Sequence, residues 1–136
     1  MSIGENIKHI QKLKEEAAKR SGRSGEDVLI VAVTKLHSTD EINEAIDCGI
    51  TDIGENKVQE IMDKYDRVKP VRWHLIGHLQ TNKVKYIIDK VSMIHSVDSL
   101  HLAKEIDKRA KQHNLTMDIL IQVNSAMEES KFGITT

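Results

Sequence analysis

Cysteine is almost absent from this sequence: Cys48 stands alone, which excludes an internal disulfide and fits a reducing compartment. It sits in D-C-G, where a helix is expected to end, and reads as a small packed residue rather than a nucleophile. No charge of one sign dominates either. Lys plus Arg number 20 against 21 Asp plus Glu, so no net field would draw in nucleic acid or an acidic membrane. The histidines add little charge near neutral pH. A long apolar run is missing at the N-terminus, where Glu5, Lys8 and Lys12 interrupt the hydrophobic residues. That excludes a signal peptide and a membrane span there, and a cytoplasmic protein is expected. No G-x-G-x-x-G, Walker lysine motif or G-x-S-x-G elbow occurs. His74 and His78 have the spacing of a zinc pair, but that spacing brings ligands together on a helix. Here it falls on a strand leading into Gly77, with no complementary third ligand, and a metal site is not expected.

What is present begins with residues 28–35, V-L-I-V-A-V-T-K. Six consecutive apolar residues of this kind predict a strand buried on both faces. Lys35 closes it. The carboxyl end of a parallel strand is where α/β sheets and barrels put their ligands. Desolvation there would favour the neutral amine, the form that attacks a carbonyl to give a Schiff base. Taken alone, a lysine marking the strand's return to water is the commoner case.

The chain, at 136 residues, is one domain's worth and long enough for a real core. Ile3, Ile7, Ile10, Leu13 and Ala17 predict an amphipathic helix covering one side of it. After the 28–35 strand, Ser38 or Thr39 caps a helix that runs until Gly49, and 50–54 is a short strand. The next helix is expected to begin at Asn56, with Gln59 as its capping-box partner. A strand over 71–76 follows the lone Pro70, then a helix from Thr81 or Asn82 through Ile88, and a strand over 92–97. Asp98 or Ser99 caps a helix over 100–111 in which Glu105 and Arg109 pair at i,i+4. A fifth strand spans 117–123, and the remainder reads as loop. Alternation at this spacing argues parallel βα units. Five of them form either an open doubly wound sheet or the first part of a (β/α)8 barrel, which needs about 250 residues to close.

Polar or glycine-rich residues follow each strand: Thr34-Lys35, Gly54-Glu55-Asn56, Gly77-His78-Leu79-Gln80, Ser96-Val97-Asp98 and Asn124-Ser125. In a parallel sheet these ends share one side and can converge. Each also has a plainer explanation, since Asn56, Asp98 and Ser99 suit helix caps and Gly54 and Gly77 suit tight turns. His37 reads as a loop residue close to Lys35.

Four separated motifs, in order, carry a resemblance. They are V-A-V-T-K at 31–35, D-I-G-E-N-K-V-Q-E at 52–60, W-H-L-I-G-H-L-Q-T-N-K at 73–83, and I-Q-V-N at 121–124 with E-x-S-K-x-G at 128–133. Together they resemble the pyridoxal phosphate homeostasis proteins, the YggS or PROSC family. The resemblance implies an α/β fold: a partial (β/α)8 TIM-type barrel of about five βα units, of the alanine racemase N-terminal domain type. It implies pyridoxal 5′-phosphate as cofactor, held by Lys35 as an internal aldimine. Asn56 matches the asparagine of the family's G-E-N motif, near the cofactor. His78 and Asn124 match positions at the barrel mouth and are carried over as pocket lining. The family's phosphate-gripping motifs, S-x-G-M-S and G-S-T-x-x-R-x-G, do not occur. The chain is therefore expected to be the first part of a longer protein, and cofactor binding to be weaker without that cradle.

The leading expectation is a carrier that holds and releases the cofactor without turnover. An amino-acid racemase would need acid/base groups on both faces of its substrate. Only Lys35 is a candidate, because Tyr65 and Tyr86 fall inside predicted helices. A cofactor-free lysine aldolase and an inactive partial barrel that self-associates are the further alternatives. Exposed first and fifth strand edges would favour a homo-oligomer, or association with a missing C-terminal part.

Overall fold

The structure, a computed structural model, describes residues 2–129 and 131–135; Ser130 of the E-x-S-K-x-G motif lies outside them. The elements alternate as the sequence predicts. Helix α1 (Ile3–Arg20) leads to strand β1 (Ala32–Val33), followed by α2 (Thr39–Asp47), β2 (Asp52–Glu55), α3 (Val58–Lys64) and β3 (Arg72–Leu75). Then come α4 (Val84–Ile87), β4 (Met93–Val97), α5 (Leu100–Gln112) and β5 (Asp118–Ile121). Local chemistry sets the helix starts. Ser2 with Glu5, and Ser38 with Glu41, form reciprocal capping boxes, while the Ser99 hydroxyl accepts from Leu102 N–H at 3.1 Å.

The five strands are parallel and ordered β1-β2-β3-β4-β5. That order decides between the two architectures. Right-handed crossovers between strands that always neighbour their sequence successor send every helix to the same face. A doubly wound sheet reverses its order and covers both faces. The chain is therefore a partial (β/α)8 barrel, and its core lies between one sheet face and the helices. Ile53, Trp73, Leu75 and Ile94 are buried on that face, with Ile42, Ile61, Ile87 and Ile106 from α2, α3, α4 and α5 in the same core cluster.

The 28–35 segment departs from its expected form. Only Ala32 and Val33 join the ladder, and Leu29 and Val33 are 54% and 51% exposed. The reason is position: β1 pairs with β2 alone, so no strand covers its other edge. The opposite edge behaves alike, with Ile121 of β5 at 62% exposure. Helix α1 covers less than expected, since Ile10 and Leu13 stay about half exposed beside this incomplete edge.

Other differences are local. The α3 helix starts at Val58 with Lys57 at its N-cap and no side-chain cap bond. Asn56 is thus outside the helix, and Gln59 donates to Asp63 at 2.9 Å instead of closing a box. The segment from Thr81 enters α4 through a 3₁₀ turn over Thr81–Lys83. Cys48 is free and exposed rather than packed, because α2 ends at it on the outer surface. The tail after β5 is not plain loop: Val123 and Ile134 form a parallel bridge. Glu105 accepts from Arg109 at 2.9 Å, as its spacing predicts.

Candidate functional site

Lys35 stands at the carboxyl end of β1 and is exposed, not desolvated. The edge explains this, since no further strand shields it. Its neighbours are held tightly. Thr34 N–H donates to Gly54 O at 3.0 Å, and the Thr34 hydroxyl donates to the Glu55 carboxylate. Glu55 is fully buried, and Lys64 of α3 is 8% exposed. The Lys64 ammonium donates to the Thr34 carbonyl at 3.1 Å and to Glu55 and Glu60 at 3.0 Å each. Glu60 also accepts the Leu36 N–H at 3.1 Å. That backbone bond holds its carboxyl below the ordinary range; burial opposes it and Lys64 adds to it. This cluster escapes sequence reasoning. Lys64 lies 9 and 30 residues from Glu55 and Thr34, and only its i,i+4 spacing from Glu60 hints at the cluster.

Asn56 and His78 do come together. With Lys57, Gln80, Lys83 and Tyr86 they line a cavity of about 440 Å³ between α3 and the Thr81–Lys83 turn. Gly77 makes the approach of the two loops geometrically tight. A Cβ there would lie 2.3 Å from the Asn56 carbonyl oxygen. Gly77→Ala should therefore cost about 2 kcal/mol by overpacking against backbone, measured by urea unfolding. A variant as stable as the wild type would show that the loops part freely. His78 also stacks on Phe132, with ring centroids 3.7 Å apart and planes 14° apart, and its Nδ1 lies 3.6 Å from Asp98.

Lys35 and Asn124 do not line that cavity. The Asn124 amide is spent on its own loop: Nδ2 donates to Glu128 O at 2.7 Å and Oδ1 accepts Glu128 N–H at 3.1 Å. Asn124 N–H donates to Ile134 O, and Gly133 adopts a left-handed φ of 139° where a Cβ would meet Asn124 N at 2.7 Å. Asn124 thus shapes the tail that carries Phe132 to His78. His37 pairs at the surface with Glu41, 3.5 Å away.

The sheet face away from Ile53 and Leu75 carries a second polar chain that the sequence did not announce. Asp52 accepts from Arg72 at 2.9 and 2.7 Å and from His74 Nε2 at 2.7 Å. His74 Nδ1 lies 2.8 Å from His95 Nε2. Burial alone would raise the Asp52 carboxyl, but bonds from Arg72, His74 and Thr51 bring it down to about 2. Burial, together with the charge of His74, pushes His95 below the usual imidazole range. Among the described residues, no group of three His, Cys, Asp or Glu could hold a metal ion. No helix there is long and apolar enough to cross a membrane.

Comparison with known proteins adds to this geometry. The family model "Alanine racemase, N-terminal domain" matches residues 8–136. The chain is 40% identical over 136 residues to the "Pyridoxal phosphate homeostasis protein" of Aquifex aeolicus (strain VF5), covering 98% of this chain and 60% of that one. A crystal structure of an unknown protein from Bifidobacterium adolescentis superposes with a TM-score of 0.87 at 33% identity, over 97% of this chain and 58% of the other. PipY of Synechococcus elongatus PCC7942, with PLP bound, gives a TM-score of 0.72 at 29% identity, over 88% and 57%. The chain thus spans about 60% of the length of the curated relative quoted above.

Proposed function

This chain belongs to the alanine racemase N-terminal domain family, and from that premise we propose that it binds pyridoxal 5′-phosphate reversibly through Lys35, as a carrier in cofactor homeostasis. The observation that carries the proposal is Lys35 itself: an exposed primary amine at the carboxyl end of the first strand of a singly wound parallel sheet. The similarity to a relative named for pyridoxal phosphate homeostasis and to a structure with PLP bound supports it. When bound, the cofactor supplies an aldehyde that condenses reversibly with an amine.

This chain's own groups fit that end of the molecule. Lys35 offers the amine, and Thr34 and Leu36 fix its backbone. Asn56 and His78 offer an amide and an imidazole at neighbouring strand ends, held close by the glycine at 77. Asn124 acts through the tail, keeping Phe132 stacked on His78. A racemase-like reading needs a second acid facing Lys35. Tyr86 lines the Asn56–His78 cavity but Lys35 does not, and Tyr65 packs on Trp73 at 5.6 Å. We therefore favour holding and release over turnover, in the cytoplasm, with neither nucleic acid nor membrane as partner.

The test is the visible absorption spectrum of the purified chain as pyridoxal phosphate is added. A saturable new band is expected; an unchanged protein spectrum at millimolar cofactor sinks the reading.

We also read residues 1–136 as one domain, the N-terminal portion of a cofactor-binding barrel. Both outer strands leave apolar side chains uncovered: Leu29, Val33 and Leu36 near one edge, Leu120, Ile121 and Val123 at the other. Such edges template pairing with another chain. The isolated chain is expected to self-associate, seen as a molecular mass that falls on dilution in light scattering. A monomer at every concentration would show that these edges need no cover.

A further inference from the structure

We propose that Glu60 and Lys64 of α3 are positioning residues for the Lys35 amine, acting on the two peptide groups that flank it; this rests on Lys35 as the attachment residue. The Thr34 carbonyl belongs to the peptide bond entering Lys35, and it accepts from Lys64 Nζ at 3.1 Å. The Leu36 N–H belongs to the peptide bond leaving Lys35, and it donates to Glu60 Oε2 at 3.1 Å. Peptide units are planar and rigid. Anchoring one on each side of Lys35 restrains both of its backbone dihedrals and hence the direction in which its side chain departs.

The sheet alone cannot do this. Strand β1 joins the ladder only over Ala32–Val33 and pairs on one side, and the next bond, Thr34 N–H to Gly54 O, precedes Lys35. Immediately after it, Leu36 holds a left-handed φ of 66°. A branched residue leaves that region unless its surroundings over-determine it. The anchor has the rigidity required. Lys64 is buried and spends its three protons on Thr34, Glu55 and Glu60, so it is no competing amine. One oxygen of Glu60 joins the two halves by accepting from both Lys64 and Leu36.

The experiment compares wild type, Glu60→Ala and Glu60→Gln in this same chain. Glutamine keeps an acceptor oxygen at the same reach. Three quantities are read: hydrogen exchange at the Leu36 amide, apparent affinity for pyridoxal phosphate by absorption, and the distribution of pyridoxyl label after borohydride, by peptide mapping. In Glu60→Ala we expect faster Leu36 exchange, roughly tenfold weaker binding, as one charged hydrogen bond carries, and label spreading from Lys35 to other lysines. Glu60→Gln should recover most of the selectivity. A merely structural ion cluster would lower the unfolding midpoint without moving the label. A folded Glu60→Ala that labels and binds like wild type overturns the proposal. Failure of the underlying reading looks different: Lys35 is then unlabelled in the wild type too.

Discussion

Lys35→Ala should abolish covalent capture of pyridoxal phosphate, with label at this segment falling at least about a hundredfold, since the other amine at this strand end, Lys64, is buried and spends its protons on Thr34, Glu55 and Glu60. Borohydride reduction and peptide mass mapping of the wild type should place the pyridoxyl group on Lys35. The two lysines that line the neighbouring cavity, Lys57 and Lys83, are the natural competitors. Label on either, with Lys35 bare, would refute the assignment. The substitution should leave stability within about 0.5 kcal/mol, because an exposed side chain contributes little packing. Loss of capture with retention of fold is what separates an attachment residue from a structural one.

The largest effect on stability is expected at Asp52→Asn. Asp52 is 1% exposed and gathers bonds from Arg72, His74 and Thr51. Its carboxyl stands at about 2 in the folded chain, against the ordinary aspartate value of about 3.9 when unfolded. A depressed carboxyl stabilises the fold fully above the unfolded value, and that contribution is lost as pH falls through the folded one. At neutral pH the difference amounts to roughly 2 to 3 kcal/mol. Urea unfolding at pH 7 should therefore find the asparagine variant weaker by about that much. The gap should narrow between about pH 4 and pH 2, as wild type loses what the variant never had. A gap that stays constant down to pH 2 would assign the loss to altered packing rather than to the charge.

The two parts of the site differ in how far they can be read from the chain. Lys35, Asn56 and His78 lie in contiguous motifs at strand ends, so strand period and motif order locate them. The Asn56 helix cap fails for a physical reason: the close backbone approach at Gly77 uses that residue in the loop, and the helix begins two positions later. Asn124 is found by its motif, but its amide serves the tail's own bonds. The Thr34–Glu55–Lys64–Glu60 cluster and the Asp52–His74–His95 chain carry no comparable signal. Each depends on which residues of separate strands and helices share a face.

By itself, then, the sequence determined the alternation of helices and strands, the helix starts at Ser38 and Ser99, and the strand-end lysine, because apolar period and cap chemistry are local properties of the chain. The tertiary structure alone decided that strand order makes the sheet singly wound, and that Lys35 is exposed with both adjoining peptide groups tied to α3. Those outcomes follow from strand order and register, which bring together residues 20 and 30 positions apart and which no local pattern encodes.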